Sequence, residues 1–318
     1  MKNLRFLSWC LCAGLMLMLG ACGGDNEPGD STTESSGSNN ANANDASANS
    51  VLARMEMPNM KKIEKEMAAN TKLLVHETSD SYGTNFIVLW DFDKHAQRWT
   101  AYQMKKGFAG SAGYNGDFHE HSVEDRTFST NNNMEVYYSG SGFSRGHICP
   151  SADRQYSKTA NYQTFCYTNM QPQYMTFNAG PRVNGKQQYT SPWVRLENKL
   201  RDWAGLVENE VIYVVKGGTI DHPLMKIKGV LPVPDHFFVA LLSKNTRKGD
   251  GGYSAIGFYI KHESVDRGSV PLADYAHNIE ELETLTGFDF FCNLPDDVEK
   301  AVESKPVSTL LSVWKPDN

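Results

Sequence analysis

Apolar residues in the middle of the chain come in short, strand-length bursts. Asn85–Asp91 (NFIVLWD) and Arg98–Met104 (RWTAYQM) are rich in β-branched and aromatic residues, and the polar stretch 93–97 separates them. They predict a pair of strands. Val211–Val215, His236–Leu242 and Tyr253–Ile260 predict three more, with turns at Gly217-Gly218 and 248–252. The period then lengthens. Trp193, Leu196, Leu200, Trp203 and Ala204 recur on helical spacing, with Thr190 or Ser191 placed to cap the helix and Pro192 in its first turn. Ala273–Leu285, ending at Gly287, and Pro295–Glu303 predict two further helices. Strands first, helices inserted and helices last predict one α+β domain over residues 72–307, with a mixed or antiparallel central sheet and flanking helices. Residues 308–318 read as a tail, and 108–133, rich in Gly, His and Asn, as a long loop.

The N-terminal part has a different pattern. Residues 1–21 have a positive start (Lys2, Arg5), an apolar run from Leu11 to Leu19 and a small-residue finish, the pattern of a secretory signal peptide. They end in Leu19-Gly20-Ala21-Cys22, which resembles the lipobox of bacterial lipoproteins. In that class the cysteine is acylated, which here implies an exported protein held by Cys22 on a membrane, at the periplasmic face or the cell surface. Residues 23–50 contain no aromatic residue and no Val, Ile or Leu. Five carboxylates and no Lys or Arg complete a composition that cannot bury enough apolar surface to fold. The stretch reads as a flexible tether, and residues 51–71 as a connector with a short helix around Lys61–Ala69.

Charge sharpens this division. The chain carries a formal −6. With the leader's two positive and the tether's five negative charges set aside, −3 remains for the folded part. Against that background, Arg145 to Arg201 holds eight Lys or Arg and only two acids, Asp153 and Glu197. Concentrated positive charge suits a phosphate-bearing partner, although a solvated helix face with Glu197 and Arg201 paired at i,i+4 accounts for charge alone. Of the six cysteines, Cys149, Cys166 and Cys292 remain after the leader and Cys22. An exported chain allows one disulfide and one free thiol, with Cys149–Cys166 as one guess among the pairings.

Ser144-Arg145-Gly146-His147 is where the charge acquires a chemistry. A neutral imidazole takes a proton from water near pH 7, and the Arg145 guanidinium offers planar donors to phosphate oxygens. The motif and the blocks after it resemble the DNA/RNA non-specific endonucleases, whose site is a ββα-metal (His-Me) finger. Arg145-Gly146-His147-Ile148 with Ala152 matches the signature. Asn161-Tyr162, Thr168–Gln173, Phe177–Gly180, Trp193–Glu197 and Asp289-Phe290-Phe291 follow in the family's order.

The resemblance implies roles. His147 is the general base, and Arg145 contacts phosphate. Asn178 is the sole direct protein ligand of a Mg²⁺ (Mn²⁺ as the substitute) whose remaining ligands are waters, and Glu197 holds those waters. Asn169 supports the site, and Arg126 matches a second family arginine. The implied substrates are DNA and RNA, cut through their backbone without sequence preference to leave 5′-phosphates. Two departures stand out. Ser144 replaces the signature's Asp. An extra segment with Pro181, Asn184-Gly185 and Pro192 separates Asn178 from Glu197, so it must loop out for the site to close; otherwise Asn169 or Asn184 is the fallback ligand. Two other readings stay open: a phosphodiesterase acting on small nucleotides, and a catalytically silent lipoprotein that binds nucleic acid or protein. His119 and His121 form a weaker metal-binding pair, His236 and His262 read as structural, and Trp193 and Trp203 as core.

Overall fold

In the computed structural model the chain is described over residues 39–63, 69–79, 83–113, 116–120, 134–206, 210–244 and 252–318. Strands β1 (Thr71–Glu77), β2 (Thr84–Asp91) and β3 (Ala96–Lys105) form an antiparallel meander. β2 is apolar on both faces because both faces are covered. A long excursion follows β3. It holds α1 (Glu135–Tyr138), β4 (Ser144–His147), α2 (Lys158–Gln163), β5 (Met170–Gln173), α3 (Met175–Asn178), β6 (Arg182–Val183), β7 (Lys186–Gln187) and α4 (Pro192–Gly205). The chain then re-enters the sheet as β8 (Val211–Gly218), and β9 (Met225–Ile227) pairs with β10 (Leu231–Val233) as a side hairpin. β11 (His236–Lys244), β12 (Tyr253–Lys261) and β13 (Ala276–His277) complete an antiparallel sheet of order β1-β2-β3-β8-β11-β12-β13. Helices α5 (Ile279–Thr286), α6 (Asp296–Glu303) and α7 (Val307–Trp314) close the chain.

Alternation along each strand builds two cores. Phe86, Val88, Tyr102, Val214 and Val239 face a layer made by α4, the β4–β5 ribbon and α7. Ile87, Leu89, Trp99, Val215 and Ala240 face α5, α6, Phe290, Phe291 and Met57. The Ser191 hydroxyl caps α4 by accepting from the Val194 N–H at 3.2 Å, and Pro192 opens it, as the sequence predicts.

Several expectations change. Gly217-Gly218 lies inside β8, where a side chain on Gly217 would strike Arg98 and Phe238. The Ala273–Leu285 helix begins only at Ile279, because the Asn278 side chain accepts from the Glu281 N–H and sets the cap there. The segment read as a tail is α7, and Trp314 is buried in it. Residues 39–50, read as tether, are bound to the far side of the sheet by polar side chains. The Ala41 N–H donates to Asp296, Asn42 to Glu299 at 2.9 Å, and Asn44 to the Pro58 carbonyl at 3.1 Å. Amide-rich composition hid this docking, because it uses hydrogen bonds where the reading looked for apolar surface. All three cysteines of the folded part are free and buried, so the expected disulfide is absent. Cys166 Sγ accepts from the Thr168 hydroxyl, while Cys292 lies across the sheet against Asn44. The leader, Cys22, most of the 61–69 helix and the 121–133 part of the loop lie outside the described residues, and Arg126 and His121 with them.

Candidate active site

β4 and β5 pair antiparallel, with Gly146 opposite Gln171 and His147 opposite Met170. α3 follows at once, giving a ββα unit. Gly146 is required where it stands: the buried Gln173 side chain lies over it in the space a Cβ would fill. Asn169 fixes the turn after His147 from both ends. Its Oδ1 accepts from the Cys149 N–H at 2.8 Å, and its Nδ2 donates to the Cys149 and Thr164 carbonyls at 2.8 and 2.9 Å. With its amide so committed, Asn169 is a brace, and the fallback ligand role is closed to it.

The inserted segment does loop out. Gly180, at φ 102°, packs against the Thr190 backbone, and the Gln188 N–H donates to the Pro181 carbonyl at 3.1 Å, so the two ends of the insert meet. α3 therefore touches both β4 and α4. His147 and Glu197 are thereby carried on two elements that both pack against the helix of Asn178. The Asn178 side chain has no hydrogen-bond partner among the described residues, whereas Asn184 sits on an exposed turn at φ 50°. The start of α3 is held by His262. Its Nε2 accepts from the Tyr174 N–H at 2.9 Å while its Nδ1 donates to the Pro234 carbonyl at 2.8 Å, which fixes the neutral tautomer. Burial pushes its pKa down to about 4.

His147 lies edge-on to Phe165, with ring centroids 4.9 Å apart, and its buried Nε2 has no partner among the described residues. Burial, with the Lys216 ammonium second, pushes its pKa down to about 4, so the ring is a neutral proton acceptor at pH 7. Lys216 was missed by the sequence reading. It is 1% exposed on β8, 2.9 Å from Glu197 Oε1 and 4.2 Å from the Trp193 ring centroid. The signal was available: one lysine ending the apolar run Val211–Val215, in a strand covered on both faces. The i,i+4 pair of Glu197 with Arg201 does not form. Arg201 binds the buried Asp153 at 2.6 Å, and burial raises the Glu197 pKa against the pull of Lys216.

Arg145 is engaged too. Its Nε donates to Glu135 Oε2 at 2.9 Å and its Nη2 to Oε1, and its guanidinium lies 4.9 Å from the Phe118 ring centroid. Glu135 also accepts from the Tyr167 hydroxyl, and these partners hold its pKa below the usual carboxylate range. Ser144 donates to the Gln173 carbonyl at 2.9 Å, so the position of the missing Asp serves to pin β4 to β5. His119 stacks on Tyr162 at 4.1 Å, and His236 pairs with Asp235 at 2.7 Å. No group of three His, Cys, Asp or Glu among the described residues forms a metal cage.

Comparisons with known proteins agree with this geometry. The profile of the DNA/RNA non-specific endonuclease family matches residues 67–297. A protein named Nuclease from Nostoc sp. (strain PCC 7120) is 29% identical over 251 residues, covering 75% of this chain and 82% of that one. Mitochondrial Endonuclease G of Bos taurus is 24% identical over 224 residues, covering 66% and 68%. In fold, a chain of the solved EndoG/EndoGI complex superposes with TM-score 0.54 at 17% identity, covering 73% of this chain and 91% of that one. A ββα unit carrying Arg145-Gly146-His147, mounted on a large antiparallel sheet and matched over most of the folded chain, makes this protein a member of the DNA/RNA non-specific endonuclease family, hydrolases acting on nucleic acids.

Proposed function

We propose that the chain is a Mg²⁺-dependent endonuclease that cuts DNA and RNA without sequence preference. The observation that carries this is the unpartnered, neutral His147 Nε2 on a ββα unit whose helix carries Asn178 and packs against the helix of Glu197. His147 takes a proton from the attacking water, and its depressed pKa keeps it ready to do so at neutral pH. The residues fit a hard cation that keeps most of its waters: a free amide oxygen on Asn178 and an unengaged Oε2 on Glu197, whose Oε1 is bound by Lys216. When bound, such an ion neutralises the phosphate and supports the leaving oxygen. Lys216 keeps Glu197 oriented, and Arg145, exchanging part of its contact with Glu135 for phosphate, binds the substrate. None of these groups reads a base, which fits backbone recognition.

Digestion of plasmid and RNA by the full chain, with Mg²⁺ and with EDTA, tests the reading beside His147→Ala. The expected result is cleavage abolished by EDTA and reduced by about a hundredfold or more in the variant. Equal inactivity of both proteins in Mg²⁺ would sink the nuclease reading; EDTA-resistant cleavage would sink the metal. The lipobox-like Leu19–Cys22 supports membrane attachment as a further part of this reading. Fatty-acid labelling of the expressed protein that persists in Cys22→Ser would refute it.

A further inference from the structure

The segment that separates Asn178 from Glu197 folds into a small hairpin that covers no core. β6 and β7 pair Arg182 with Gln187 and Val183 with Lys186. Asn184 and Gly185, at φ 50° and 75°, form the two-residue turn that suits a twisted hairpin. The Gln187 side chain donates to the Gly180 and Pro181 carbonyls and closes the base. A two-stranded hairpin is at best marginal alone, and this one buries nothing in return: Arg182, Val183 and Lys186 are exposed, Val183 by 51%. Tyr189, just beyond it, is 63% exposed. The side chains of Arg182 and Lys186 have no partner among the described residues, and no acid occurs between Asp153 and Glu197. Stability does not explain two unpaired cations on a pinned hairpin and an exposed ring just beyond it.

Its roots do suggest a role. The hairpin begins four residues after Asn178 and its return leads into α4, so it rises from the rim of the candidate site. We propose that the β6–β7 hairpin is a second grip on the nucleic-acid backbone, in which Arg182 and Lys186 each neutralise a phosphate outside the cleavage centre and Tyr189 offers a face to an unpaired base. The inference deepens the nuclease reading and rests on it for the occupant. It explains why the family's shorter spacing was lengthened here by a looped-out element without displacing the site.

The test measures binding, so it is separate from catalysis. In a His147→Ala background, anisotropy gives the Kd of a labelled DNA duplex across a series of NaCl concentrations, for the parent and for Arg182→Gln/Lys186→Gln. Losing two phosphate contacts is expected to flatten the slope of log K against log salt by about 1.8 and to weaken binding roughly tenfold at physiological salt. Arg182→Glu/Lys186→Glu is expected to weaken it further. Circular dichroism confirms that each variant is folded. Slopes and affinities equal to the parent's in both folded variants would overturn the grip, whereas absence of cleavage by the chain with His147 intact in Mg²⁺ would overturn the nuclease reading alone.

Discussion

A lysine ammonium 1% exposed has to be held by something, and in this fold the Glu197 carboxylate and the Trp193 ring hold it. Lys216 also acts on His147, whose pKa it helps to lower. Lys216→Met keeps the apolar stem on Trp193 and removes the charge. The His147 pKa is then expected to rise from about 4 toward its ordinary value. The acid limb of the kcat/KM profile should move to higher pH by the same amount, while kcat falls because Glu197 loses its partner. An acid limb unmoved in a folded variant would remove Lys216 from the electrostatics of the base. At this scale the motif residues were legible. Arg145, His147, Asn178 and Glu197 were singled out through the blocks that resemble the family. Lys216, Glu135 and His262 come from segments distant in sequence and share no motif, so only the sheet register and the packing of α1 reveal them.

Among the elements, β2, β3, β8, β11, β12 and α4 were legible because each carries its signal on its own: a strand-length apolar burst in the strands, helical spacing in α4. Short β4 and β5 were not, since four residues show no period and their pairing is set by the tertiary contact of Gly146 with Gln173. The last helix was missed for another reason. Its partner is Trp203, more than a hundred residues upstream. The Trp203 indole N–H donates to the Trp314 carbonyl at 2.9 Å, the rings meet edge to face at 4.9 Å, and the Trp314 indole donates to Ser254 at 3.1 Å. Trp314→Ala is expected to cost about 3–5 kcal/mol, from the cavity and the lost ring contact. Urea unfolding monitored by fluorescence reads this as a lower midpoint at unchanged slope. A shift under 1 kcal/mol would mean, against ~3 for a buried aromatic, that α7 contributes little to the fold.

Across the whole molecule, the sheet separates two electrostatic environments. On the site face, His147 and His262 are held neutral, so between about pH 6.5 and 4 they favour unfolding as pH falls. On the other face, Glu283, Glu299 and Glu303 crowd against Asp289. Burial and mutual repulsion raise their pKa values, that of Glu299 to about 7. A carboxyl raised above its unfolded value stabilises the fold at low pH and loses that contribution as pH rises through the folded pKa. From pH 6.5 upward only this second effect operates. Thermal midpoints are therefore expected to fall between roughly pH 6.5 and 8, and Glu303→Gln should flatten that decline. A profile flat over this range in the parent would show that the cluster does not protonate.

The docking of residues 39–63 on that same far face bears on how the enzyme meets its surroundings. The described chain starts at Asn39, whose carbonyl accepts from the Asp296 N–H behind the sheet, whereas the β4–β5 ribbon that carries His147 lies on the other face. The docked 39–63 segment therefore leaves the His147 side uncovered, and a long polymer can lie along that side without meeting it.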